Sequence, residues 1–221
     1  MSTASWKRVS VAIAVALVLA TLGSPRDARA CTVEGCPNLP NNCYSYLLRD
    51  NYSNVLKWCQ PIRRCIAGEG CWWETHVKWG NASKYGTAVQ AAINSYNVPP
   101  VGPGNSLYLD VGGAAGTNDI DFWNAWSNAW WWGLSHWVDG AGVKDGPNPG
   151  CFGRGQGWVQ LNNRLIPNDF SWQRWIVEHE LGHEIGLGHV CTRGITMNPC
   201  SEGNNVDLSS CDAQGINSLY P

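Results

Sequence analysis

The eleven residues His179-Glu180-Leu181-Gly182-His183-Glu184-Ile185-Gly186-Leu187-Gly188-His189 set three imidazoles and a carboxylate at spacings that suit metal-assisted hydrolysis. On a helix, positions i and i+4 share one face a turn apart, so His179 and His183 can turn their rings toward a single cation. At Zn–N distances of about 2.0–2.1 Å, two such rings do not complete a tetrahedron. Gly186 can adopt the backbone conformation that ends a helix, and the turned chain would bring in His189 as a third ligand. Three protein ligands leave a fourth position for water, which is the arrangement of a catalytic zinc and not of a structural one. Zinc lowers the pKa of its water to near 7 and polarises a carbonyl, so the remaining need is a base. Glu180, adjacent to His179 and turned toward the open position, would take the proton and deliver it to a leaving amine. Random placement of these residue types would produce the full pattern at roughly one in a hundred thousand.

Such a site needs a helix beneath it and a sheet beside it. Asp169 or Ser171 is placed to cap a long helix running to about Leu187, with Trp172, Trp175, Ile176, His179 and His183 on neighbouring turns. Strands are expected at Thr75 to Trp79, Leu107 to Val111, Ile120 to Phe122, Leu134 to Val138 and Trp158 to Asn162. Helices are expected at Lys84 to Tyr96, closed by Pro99-Pro100, and at Ser209 to Leu219. The Gly/Pro-rich stretch from Gly140 to Gly157 lacks the strand before it and helix after it that a phosphate-binding loop requires, so it reads as a plain connection. Strand and helix alternate early and helices dominate late. The expected fold class is therefore α/β (α+β), a twisted mixed sheet of about five strands with helices packed on it.

Composition bounds the setting. Residues 1–30 read as an export signal, with Lys7 and Arg8, an apolar run from Val9 to Leu22, and a small-residue site at Ala28-Arg29-Ala30. Cleavage there would start the mature chain at Cys31, and no later segment reads as a membrane span. Export removes Lys7, Arg8, Arg26, Arg29 and Asp27, leaving 11 basic and 16 acidic residues, a net of −5 that argues against a nucleic-acid partner. All ten cysteines lie in the mature part, so up to five disulfides are expected. No C-x-x-C occurs, which disfavours a cysteine-held metal. Six cysteines, Cys31 to Cys71, crowd the start, dividing the chain into a signal (1–30), a cysteine-rich extension (31–71) and a catalytic domain (72–221). Tyr44, Leu47, Leu48, Val55 and Trp58 suggest one short helix in the extension, stopped by Pro61.

The segment His179 to His189 matches the H-E-x-x-H-x-x-G-x-x-H motif of the metzincin zinc peptidases. Met197, within Ile195-Thr196-Met197-Asn198-Pro199, stands eight residues after His189 and resembles the Met-turn beneath the zinc in that clan. The proline two residues later and the terminal Asp212 to Tyr220 are similar to the matrixin subgroup. The resemblance, from about Trp73 to Tyr220, implies one catalytic zinc and protein or peptide substrates. It also implies a shallow groove in which an edge strand formed by Trp158, Val159, Gln160, Leu161 and Asn162 pairs with an extended peptide. Departures are visible. Val190 follows the third histidine where named families carry a characteristic polar residue or proline, no tyrosine closely follows Met197, and nothing in the extension resembles a cysteine-switch propeptide. A structural extension is the preferred reading, and a bridge among Cys191, Cys200 and Cys211 would clamp the turn behind His189.

Thirteen tryptophans in the mature part allow an alternative, a binding module whose exposed indoles grip a polymer, lipid or protein. His76 and His136 sit outside any ligand pattern. Asp119, Asp121, Asp139 and Asp145 could contribute to a calcium site, but their spacing fits no known loop. A monomer is expected.

Overall fold

A computed structural model describes residues 44–46, 57–58, 61–68, 70–97, 107–114, 116–135, 151–152, 157–190, 192, 194–199 and 207–221. The elements in chain order are β1 (Ser45–Tyr46), β2 (Lys57–Trp58), β3 (Pro61–Ile66), β4 (Gly70–Asn81), α1 (Gly86–Asn97), β5 (Leu107–Val111), β6 (Ile120–Ala125), β7 (Gly133–Ser135), β8 (Cys151–Phe152), β9 (Gly157–Asn162), α2 (Phe170–Glu184), β10 (Leu187–Gly188) and α3 (Ser210–Leu219). Six strands form one mixed sheet in the order β3-β4-β6-β9-β7, with β5 also paired to β4. Strands β4, β5, β6 and β9 run parallel, and β7 returns antiparallel onto β9. Parallel neighbours need a crossover, which α1 supplies between β4 and β5.

The core lies between this sheet and the helices. Ala88, Val89, Ala92, Ile93 and Tyr96 make the buried stripe of α1, at the spacing that puts apolar side chains on one helix face. Opposite them the sheet contributes Val77, Leu107, Leu109, Ile120, Phe122, Val159 and Leu161, all buried. The entry to α1 is an Asx-turn, in which the Asn81 carboxamide oxygen accepts from the Ser83 amide at 3.0 Å. Helix α2 is different, because every residue from Trp175 to Glu184 is buried. No solvated face remains there, so its ionisable groups at 178, 179, 180, 183 and 184 all sit in the interior, a costly placement that marks a site and not a scaffold.

The mixed α/β class is as expected, and β5 occupies the expected residues. The helix expected across Tyr44 to Trp58 is not what its described ends form. Ser45 and Tyr46 pair antiparallel with Gly188 and Leu187, and Lys57 and Trp58 pair parallel with Cys151 and Phe152. The two described ends thus belong to two separate strand pairings and not to one helix. Residues 47–56 lie outside the described set, as do the signal segment, Cys31, His136, Asp139 and Asp145. Cys65 and Cys71 are bridged across the β3–β4 hairpin, and Cys211 is disulfide-bonded as well. The line between residues 71 and 72 falls inside that hairpin.

Candidate active site

Asp169 caps α2, accepting from the Trp172 amide at 3.0 Å, and the helix carries His179, Glu180 and His183 to its last turn. Gly186 then takes φ 105°, a left-handed conformation that side chains resist, and the chain turns back to present His189. His179 Nε2 and His189 Nε2 stand 3.1 Å apart, and His183 Nε2 and His189 Nε2 stand 3.0 Å apart. Among the described residues these three form the one cluster of histidine, cysteine or acidic side chains close enough to share an ion. Ring nitrogens tetrahedrally disposed at about 2.0–2.1 Å from a zinc would be separated by about 3.3 Å, so the donor set fits that ion.

Each ring is held from behind. His179 Nδ1 donates to Thr196 O at 2.8 Å, and His183 Nδ1 donates to Leu187 O at 2.8 Å, which leaves both Nε2 lone pairs pointing inward. Burial pushes His179 down to about 4 and His189 to about 3, and lowers His183 well below the usual imidazole range. Neutral imidazoles with free lone pairs are the form that binds a cation. Glu180 is also buried, and burial raises its carboxyl to about 8, against a hydrogen bond from the Ser135 backbone amide that favours the anion.

Met197 lies under the helix, only 2 % exposed, where a Cβ on Gly182 would stand 2.2 Å from its Sδ. Asp212, at the start of α3, holds this turn in place. Its carboxylate accepts from Thr196 N at 2.9 Å and Met197 N at 3.3 Å, while also closing a capping box with Ser209. Asp212 thus acts on His179 through Thr196, a connection that the sequence did not reveal. In the sequence Asp212 stands out only as the start of the matrixin-like terminus and as part of the helix expected at Ser209 to Leu219.

A family model for matrixins matches residues 111–221, half of the chain. The chain belongs to the matrixin family. Matrixins are zinc metallopeptidases, so the family implies a catalytic zinc ion, and the three histidines described above are a donor set able to hold one. A solved structure similar to this chain is High choriolytic enzyme 1 (HCE-1), a hatching enzyme zinc-protease from Oryzias latipes (Medaka fish), at 15% identity and a TM-score of 0.30. The match covers 55% of this matrixin and 48% of that chain, so this chain corresponds to about half the length of that structure. No curated protein matches.

One expectation about this matrixin's groove needs correction. The strand Trp158 to Asn162 is not an edge, because β6 pairs with it on one side and β7 on the other. Among the described residues the outer strand beside it is Gly133–Ser135, which overlaps the strand expected at Leu134 to Val138. Asn162 N donates to Trp132 O at 2.8 Å. In an alternating antiparallel ladder this directs the backbone groups of Gly133 and Ser135 to the open side. Asn162 has a different task. Its carboxamide binds Ser127 O and Trp131 O and accepts from Ser127 N, fixing the loop that leads into β7.

The tryptophans divide. Trp58, Trp79 and Trp175 are core, Trp132, Trp172 and Trp175 pack edge to face at 5.4–5.9 Å, and Trp126 and Trp130 are exposed at 75% and 63%. His76 lies apart from the site, between Glu74 at 2.8 Å and Asp110 at 2.5 Å. Asp119 accepts from Lys78 N of β4 and Asp121 of β6 accepts from Gly116 N, so both fasten the loop before β6 to the sheet.

Proposed function

We propose that this matrixin is an exported endopeptidase in which His179, His183 and His189 hold one zinc ion and Glu180 carries the proton. The convergence of three Nε2 atoms to 3.0–3.1 Å, one residue from a buried carboxylate, is the observation that supports this reading most strongly. When bound, zinc supplies Lewis acidity and an activated water. The chain's own contribution is to exclude solvent, keep the imidazoles neutral, and hold the Glu180 carboxylate where it accepts a proton and returns it to the leaving amine nitrogen. An extended substrate would pair with the outer edge of β7, through the backbone groups of Gly133 and the carbonyl of Ser135, whose amide is already engaged by Glu180, and not with Trp158 to Asn162.

Residues 1–30 would be removed on export, giving a mature chain from Cys31. Among the described residues no helix is long and apolar enough to cross a membrane. Residues 72–221 would be the catalytic unit, with residues 31–71 as a structural part of it. That view of the extension is supported by Trp58, whose Nε1 donates to Glu184 O at 2.8 Å at the C-terminal end of the active-site helix and whose amide donates to the Tyr220 hydroxyl at 3.0 Å beyond α3. A removable inhibitory segment would not be expected to satisfy a buried carbonyl of that helix.

The test is Glu180→Gln. It is expected to retain one zinc per chain while losing nearly all cleavage of an unfolded protein, and parental activity would refute the assignment. The exposed Trp126 and Trp130 favour a second reading, a scaffold that grips a polymer, lipid or protein. Zinc retention with no cleavage by the parent, together with tight polymer binding, would support it.

A further inference from the structure

Gly133 opens the edge strand beside the site, in a position where glycine is costly. Its φ is not among the left-handed values found at Gly68, Gly70, Gly116, Gly186 and Gly194, so the backbone does not demand it. Glycine inside a strand weakens pairing and gives up side-chain packing, and it commonly marks close approach by another group. Here that group is identifiable. A Cβ built on Gly133 would stand 2.4 Å from Glu180 Cγ, 2.7 Å from Oε1 and 2.8 Å from Cδ, and these are its three nearest atoms.

The surroundings explain why strand and helix meet so closely. Residues 133 and 135 share one strand face, about 6.7 Å apart, and residues 180 and 184 share one helix face, about 6 Å apart. The two rows match. Gly133 lies on Glu180, the Ser135 amide hydrogen-bonds the same carboxylate, and Ser135 Oγ donates to Glu184 Oε1 at 2.9 Å. One residue earlier, Trp132 packs edge to face on Trp172 and Trp175 of the same helix. The strand is thus fastened to α2 along its length, and an added methyl at 133 is met by a shift of the Glu180 side chain out of its place.

We propose that Gly133 is a positioning residue for the general base: its missing side chain is what allows the Glu180 carboxylate to lie against β7, under the Ser135 amide, while the same strand offers its edge to the substrate. This rests on the reading of Glu180 as the proton carrier. It concerns where the carboxylate sits and not whether it is required.

The experiment is a double-mutant cycle on the full chain with Gly133→Ala and Glu180→Ala, measuring kcat and KM on a dye-quenched unfolded protein, with zinc content alongside. A displacement of about 1 Å can cost on the order of 100-fold, so Gly133→Ala is expected to lower kcat by about that factor with one zinc retained. KM should stay within about threefold, because the edge that binds the peptide is unchanged. In the Glu180→Ala background the same methyl is expected to change the residual rate less than about twofold, since the atoms it strikes are gone. Equal losses in both backgrounds, a rise in KM at constant kcat, or a parental kcat in Gly133→Ala would each overturn the proposal. If Gly133→Ala does not fold, the pairing with Glu180→Ala should restore zinc-loaded protein, and failure to do so would also overturn it. Failure of the parent reading is separately visible, as full activity in Glu180→Gln.

Discussion

At the scale of single residues, the site depends on two opposite demands met by one physical cause. Burial withholds a proton from His179, His183 and His189, and it makes the Glu180 carboxyl a stronger base than an exposed one. The rings are oriented by carbonyls, and one of these, Thr196 O, is set by Asp212. Removing such outer partners commonly costs 10–100-fold in metal affinity, so Asp212→Asn is expected to weaken zinc binding by about that range in a chelator competition. Unchanged affinity would mean that the turn holds itself. The three histidines and Glu180 were legible because helical spacing places them within a single segment. Asp212 and Gly133 were not, because their partners stand 16 and 47 positions away in the chain and no local pattern ties them together.

At the scale of elements, the end of α2 is secured by groups distant in sequence. Trp58 Nε1 caps Glu184 O, and the Tyr220 hydroxyl donates to Ile185 O at 2.8 Å. Trp58→Phe removes the indole N–H and part of the ring, stranding a buried carbonyl and leaving a small cavity, which should together cost at least about 1–3 kcal/mol in urea unfolding. An effect below that range would show that the extension contributes little to the helix end. The β4–β5 pair carries a different device. Burial pulls His76 down, but the carboxylates of Glu74 and Asp110 outweigh it and leave the ring raised above its usual value, with Tyr108 stacked on it at 5.0 Å and Arg64 beside Glu74. A raised folded value means the stabilisation is complete below the unfolded value of about 6.5 and disappears as pH climbs past the folded one. The stability gap between parent and His76→Gln should therefore be widest near pH 6 and close in alkali, as followed by thermal melts. Parity of α-helical spacing revealed α1, α2 and α3 in the sequence. The sequence marks a strand at Leu134 to Val138 but not its place outside β9, because strand order is set by which segment folds back on which.

At the scale of the whole molecule, the cysteine-rich start is joined to the matrixin fold by strand pairing at β1, β2 and β3, which a composition boundary could not foresee. Zinc should couple to the stability of this assembly, because its ligands come from a helix and from the segment beyond it. A ligand at a hundred times its dissociation constant adds about 2.7 kcal/mol, or roughly 5–10 °C in Tm for a chain of this size. Chelation is expected to lower the melting temperature by at least that much, and re-addition of zinc to restore it. The most direct test of the account is the zinc absorption edge of the purified protein. It should report three imidazole nitrogens at about 2.0–2.1 Å with an additional oxygen, one zinc per chain, and a loss of that signature in His183→Ala. Sulfur neighbours at about 2.3 Å, from a thiolate in place of an imidazole, would contradict it.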